Sequence, residues 1–149
     1  MIVTTKRHSG FTLIELMIVV AIVAIILSMA IPALIHARAG ANEGSALSSL
    51  KTIITANQTY ETRFNSYATT LTNLSDMEQL DEVLAAASAA PGNSGYIFTY
   101  TGSSSTFEVT ADPVTPGTSG IRHFFADSSG VIRFREGGAA TSTDPPIDG

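Results

Sequence analysis

Apolar residues crowd into one long run near the start of the chain, then recur at helical spacing, then alternate in short bursts. From Leu16 to Ile35 there are 20 residues without a charge, rich in Ile, Val, Leu, Ala and Met. A helix rises about 1.5 Å per residue, so this run covers roughly 30 Å, the thickness of a bilayer's hydrocarbon core. A secretory signal has an apolar region of only about 7–15 residues and a small-residue cleavage site, so the run reads as a single-pass anchor. Lys6 and Arg7 precede it, which places the N-terminus in the cytoplasm by the positive-inside rule.

Beyond the run the pattern turns amphipathic. Leu47, Leu50, Ile54 and Asn57 share one helical spacing, with Ile53, Tyr60 and Phe64 beside them, while Glu43, Lys51, Glu61 and Arg63 take other faces. This predicts one helix continuing to about Phe64, with one face against a globular domain. Gly40 and Gly44 weaken it locally, by about 1 kcal/mol each relative to Ala. Residues 66–73 read as loop. Ser75 and Glu78 have capping-box spacing, predicting a short helix over 75–88 that Pro91-Gly92-Asn93 ends. Four strand-like runs follow: Tyr96–Thr101, Thr106–Ala111, Arg122–Ala126 and Val131–Arg135. Turn-forming residues bound each of them. The loop Asp112–Ile121 carries two prolines and two glycines, and Gly137–Gly149 is small and polar, so it is expected to fray. The fold class is α+β: a long N-terminal helix packed on a small antiparallel sheet of about four strands.

Composition narrows the function. The 149 residues are 44% hydrophobic, 14% charged and of net charge −5, which excludes a long disordered acidic chain. No basic run interleaves with aromatics, so no nucleic-acid face is expected. The absence of cysteine removes disulfides, thiolate metal sites and cysteine nucleophiles. His8, His36 and His123 are far apart in sequence.

Two residues disturb the plain anchor reading. Glu15 stands near the start of the apolar run, where a carboxylate costs roughly 2.5–3.5 kcal/mol on insertion scales unless it snorkels or finds a partner. Pro32 lies inside the run, removes one backbone hydrogen bond and should kink the helix, although membrane helices often tolerate proline.

The segment Ser9-Gly10-Phe11-Thr12-Leu13-Ile14-Glu15-Leu16-Met17-Ile18-Val19-Val20 resembles the class III signal of type IV pilins and type II secretion pseudopilins. The resemblance covers roughly residues 6–40; beyond that only the layout agrees. It implies that prepilin peptidase cuts between Gly10 and Phe11 and that the new amine of Phe11 is N-methylated. The leader would be residues 1–10, followed by a transmembrane and filament-core helix over 11–36, a globular head over 37–136 and a flexible tail over 137–149. Glu15, with Thr12 beside it, would serve assembly by pairing with the N-terminal amine of a neighbouring subunit, and Pro32 would be the kink. The implied partners are copies of the chain itself, the peptidase and N-methyltransferase, an inner-membrane assembly platform with its ATPase, and lipid before assembly. The implied location is the bacterial inner membrane, then an extracellular pilus or a periplasmic pseudopilus. In this family the stretch between the kink and the glycines often loses helicity in the filament.

Independent chemistry is sparse in the head. There is no paired carboxylate placed for acid–base work, no phosphate loop and no nucleophile elbow, so an enzyme is not expected. His123 reads as sheet packing beside Phe124 and Phe125 rather than as a base. Asp76, Glu78, Asp81 and Glu82 read as charges complementing a helix dipole rather than as metal ligands. No cofactor is implied. Calcium has only scattered candidates in Asp112, Asp127 and Asp144, without an Asp-rich loop. A pilus subunit, the major (G-type) pseudopilin of a type II secretion system and a non-polymerising anchored binding module remain open.

Overall fold

The computed structural model describes residues 10–89 and 91–147. Its elements are α1 (Leu13–Phe64), α2 (Leu71–Ser75), α3 (Glu82–Ala85), β1 (Tyr96–Gly102), β2 (Phe107–Pro113), β3 (Arg122–Asp127) and β4 (Ile132–Glu136). The helix followed by four antiparallel strands is the expected α+β, pilin-like architecture. The chain divides into two units, one ending at Leu34 and the other starting at Ile35.

The first unit is helix with no core. Its apolar residues surround the axis instead of forming a stripe, and the large ones from Leu13 to Leu34 are 46–76% exposed. Nothing among the described residues covers them.

The second unit has a true core. The strands pair in the order β1-β2-β3-β4, all antiparallel. Alternation turns Tyr96, Phe98, Phe107, Val109, Ala111, Phe124, Ala126 and Ile132 into one cluster with Ala46, Leu50, Ile53 and Ile54 of α1. Asn57 is fully buried there. Its amide donates to the Ile53 carbonyl at 3.1 Å, and the Tyr100 hydroxyl lies 2.8 Å from both Asn57 Oδ1 and the Ala68 carbonyl. A buried amide is tolerable only when its polar atoms are satisfied in this way.

Three expectations change. Glu43, read as lying on another face, is 6% exposed. Its carboxylate accepts from the backbone amides of Ile121 (2.8 Å) and Arg122 (3.2 Å) and from Arg122 Nε (2.7 Å). The loop before β3 presents those donors, and Asn42 secures the same loop by donating to the Ser119 carbonyl. Gly120 is required there, because any side chain would strike the Tyr96 ring.

The helix expected over 75–88 shrinks to α3, and α2 begins at Leu71, inside the stretch 66–73 expected to be loop. Thr70 caps α2 through a box with Asn73, and Ser75 closes that helix by bonding back to the Thr72 carbonyl. Glu78 then takes a left-handed conformation (φ 58°), and Asp81 caps α3 by accepting from the Val83 amide at 2.8 Å. Asp81 and Glu82 do complement a helix start, whereas Asp76 and Glu78 do not.

Of the stretch 137–149 expected to fray, the described part, up to Ile147, returns along β4, and residues 148–149 lie outside the described residues. The Phe134 amide donates to the Pro145 carbonyl and the Ile147 amide to the Ile132 carbonyl. Asp144 fastens it by accepting from Arg135 Nη2 (2.7 Å), Arg135 Nε (3.0 Å) and the Thr141 amide (2.7 Å), while its own carbonyl accepts from Arg133. The stretch thereby covers an open sheet edge.

Removing the Glu43 carboxylate strands two backbone amides and a guanidinium. Glu43→Ala should cost about 3 kcal/mol, read as a lower urea midpoint for the detergent-solubilised full chain. The Glu43 carboxyl lies below its usual range; burial works against this, but the bonds from Ile121 and Arg122 outweigh it. Asp144 is also lowered, chiefly by its bond from Arg135. A depressed carboxyl stabilises the fold while ionised, so stability should be full near neutrality and fall as the pH drops below about 4. A urea midpoint that stays flat from pH 6 to pH 3 would contradict this.

Candidate functional site

The expected processing and assembly residues begin the described chain. Gly10 and Phe11 precede α1, and the Phe11 ring is 83% exposed. Thr12 is the residue before the helix, and Glu15 sits three positions on. The Thr12 amide donates to Glu15 Oε2 at 2.9 Å, the Thr12 hydroxyl donates to the same oxygen at 2.7 Å, and the Glu15 amide approaches Thr12 Oγ1 at 3.3 Å. This is a reciprocal capping box, which satisfies orphan donors of the first turn and sets a negative charge against the positive end of the helix dipole. Glu15 therefore has a local partner in the isolated chain. Its Oε1 accepts nothing among the described residues. Lys6, Arg7 and the rest of residues 1–9 lie outside the described residues, whereas Gly10 and Phe11, the two residues of the expected cleavage junction, lie within them.

Pro32 lies inside α1, which is assigned as one helix across it and across Gly40 and Gly44. Lacking an N–H, Pro32 leaves the Ser28 carbonyl without its usual donor four residues on. The Ser28 hydroxyl bonds to the Ile25 carbonyl at 2.7 Å.

The other candidates are held apart. Asp112 Oδ1 lies 2.6 Å from His123 Nδ1, and its second oxygen accepts from the Thr110 hydroxyl. The His123 side chain is only 13% exposed, so it packs in the sheet as expected, with a carboxylate partner that spacing along the chain did not reveal. Thr110 donates to the carboxylate rather than to the imidazole, so this trio holds no hydroxyl against the ring for attack. Asp127 accepts from the Ser129 amide in the β3–β4 turn. β2 and β3 run antiparallel with Glu108 opposite Asp127, which puts Asp112 and Asp127 at opposite ends of that strand pair. Asp144 is committed to Arg135 and Thr141. The three aspartates proposed for calcium thus do not converge. No cluster of three potential metal ligands occurs among the described residues.

A family signature described as a prokaryotic N-terminal methylation motif matches residues 5–31. The match covers the N-terminal segment alone, from residue 5 to residue 31. That motif spans Gly10, Phe11, Thr12 and Glu15 and most of the uncovered helix. The chain is also 42% identical over 62 residues to the type IV major pilin protein PilA of Myxococcus xanthus (strain DK1622). The aligned stretch covers 42% of this chain and 28% of that protein. α1 is long and apolar enough to cross a membrane.

Thr12 and Glu15 stabilise the first turn of the methylation motif together. Thr12→Ala should cost about 1 kcal/mol locally. The expected readout is roughly fivefold faster amide exchange at Glu15 in detergent micelles, with amides beyond Ile25 unchanged.

Proposed function

We infer that this chain is a structural subunit of a type IV pilus. One observation carries the reading: from Leu13 to Leu34 the motif-bearing helix exposes its apolar side chains all round, and it carries one carboxylate in its first turn. Such a helix needs lipid before assembly and other apolar helices after it. A filament with these helices at its centre meets both needs.

On this reading prepilin peptidase removes residues 1–10 on the cytoplasmic side, and Phe11 becomes the methylated N-terminus. The cut removes Lys6 and Arg7 and leaves 6 basic against 13 acidic side chains. Glu15 then exchanges its bonds with Thr12 for the Phe11 amine of a neighbouring copy. A buried carboxylate and a buried amine are each costly alone and relieve one another. A subunit out of register leaves both unpaired, so the pair sets axial register. Pro32 supplies the point where the helix yields as copies pack. The chain is stored in the inner membrane with its N-terminus inside, and a platform and ATPase extract it. The head decides the surface properties and carries no chemistry of its own.

Mass spectrometry of the N-terminal peptide tests this reading. A peptide starting at methylated Phe11, in material sheared from intact cells, is the expected result. The same peptide confined to the envelope would favour a pseudopilin, and an intact Met1 would sink the proposal. Glu15→Ala should leave processing intact and lower sheared filament at least about tenfold, a loss of some 1.4 kcal/mol per subunit added. An anchored binding module would be indifferent to that change.

A further inference from the structure

The loop between β2 and β3 is pinned to α1 shortly after the apolar run ends. Residues 113–121 carry no charge. The Val114 amide donates to the Gly95 carbonyl at 2.9 Å, Asn42 Nδ2 to the Ser119 carbonyl at 2.8 Å, and the Ile121 amide to Glu43 Oε1 at 2.8 Å. These bonds hold the loop in place, yet its Val114 and Ile121 side chains are 36% and 43% exposed. From Ile35 onward the other exposed large apolar side chains described are Phe64 and Val83, so half of that set stands on this one loop.

The apolar run ends at Ile35. Asn42 follows roughly 10 Å further along α1, at about 1.5 Å per residue. The headgroup layer on each side of a bilayer is about 5–8 Å thick. Ala39, about 6 Å past Ile35, is already buried. On the membrane-stored reading above, the globular part therefore starts within the headgroup layer. Arg38 falls in the same layer, is exposed and makes no ion pair among the described residues. The carboxylates of Glu43 and Asp112 are engaged by Arg122 and His123. Glu136, opposite Arg122 at the end of β4, makes no ion pair among the described residues and is the charge at this corner that lipid phosphate repels.

We propose that the 113–121 loop rests on the outer leaflet of the inner membrane while the chain is stored there. Val114 and Ile121 enter the interface, and Arg38 lies against lipid phosphate. The occupant is lipid because the loop is uncharged, exposes apolar side chains and is fastened beside the point where the chain leaves the hydrocarbon. Partial burial of two side chains favours the contact, and the attraction of a guanidinium to anionic lipid adds to it. Such a contact is weak and reversible. It ties the head to the bilayer surface before assembly and is given up when the chain is extracted. It rests on the membrane-stored state of the reading above.

The cysteine-free chain makes the test specific. Full-length variants carry one fluorophore each: at Thr118→Cys in the loop, at Ser105→Cys in the turn at the other end of β2, or at Ala24→Cys in the apolar run. Each is reconstituted in phosphatidylethanolamine–phosphatidylglycerol vesicles containing lipids with a quencher at headgroup or mid-chain depth. Headgroup-level quenching is expected at Thr118→Cys and not at Ser105→Cys. Val114→Asp combined with Ile121→Asp should lower the docked-to-undocked ratio about tenfold. Arg38→Gln should lower it about fivefold, and Glu136→Gln should raise it. Equal quenching at Thr118→Cys and Ser105→Cys, with Ala24→Cys quenched at mid-chain depth, would overturn the contact. So would quenching at Thr118→Cys that survives the double aspartate change. Loss of that quenching on dilution to one chain per vesicle would assign the loop to a second copy and overturn it as well. Absence of quenching at Ala24→Cys would remove the membrane-stored reading itself.

Discussion

An apolar helix with no cover among the described residues sets the terms for this protein. Fifteen large side chains between Leu13 and Leu34 stay about half exposed or more. Covering a large apolar side chain is worth about 1.5–3 kcal/mol when complete, so the uncovered set represents on the order of 10–20 kcal/mol. That rivals the whole net stability of an ordinary domain. On the proposed reading, lipid and then neighbouring helices supply the cover, and a chain that moves from one to the other trades like for like. Glu15 is the one group on this stretch to which the two environments differ sharply. In the isolated chain it is engaged with Thr12, through one oxygen only.

The second half of the same helix solves a different problem. It seals one face of a four-stranded sheet, and two polar residues pin it. Asn57 ties α1 to β1 through Tyr100, and Glu43 ties it to the start of β3 through Arg122 and two backbone amides. Apolar burial is non-directional, so a helix could slide or rotate on an apolar sheet at modest cost. Buried hydrogen bonds with fixed partners make those displacements expensive. The outer edge follows the same logic. Asp144 and the two arginines of β4 fasten the C-terminal stretch in a chain that has no disulfide to do so.

Much of this was legible from residue order. The long helix ending at Phe64 and all four strands appear within a few residues of where periodicity and turn residues put them. The 65–95 connection was legible only in part. Ser75 and Glu78 have capping-box spacing, but Thr70 and Asn73 can cap too, and the better-placed box wins locally. Once α2 has ended, Glu78 turns left-handed and Asp81 becomes the next cap. Glu43 looked like an ordinary surface acid, because its partners are 78 and 79 residues away.

The sequence by itself determined whatever depends on neighbours a few positions apart: the apolar run, the methylation motif, and the helical and strand periods. Those features arise from local geometry and from transfer between water and an apolar phase, both of which act within a turn or two of chain. Tertiary structure alone decided which charges are buried, which aspartates meet a partner, and how the C-terminal stretch is fastened. Those outcomes depend on which distant residues the sheet register brings within about 3 Å of each other. No spacing along the chain encodes that distance.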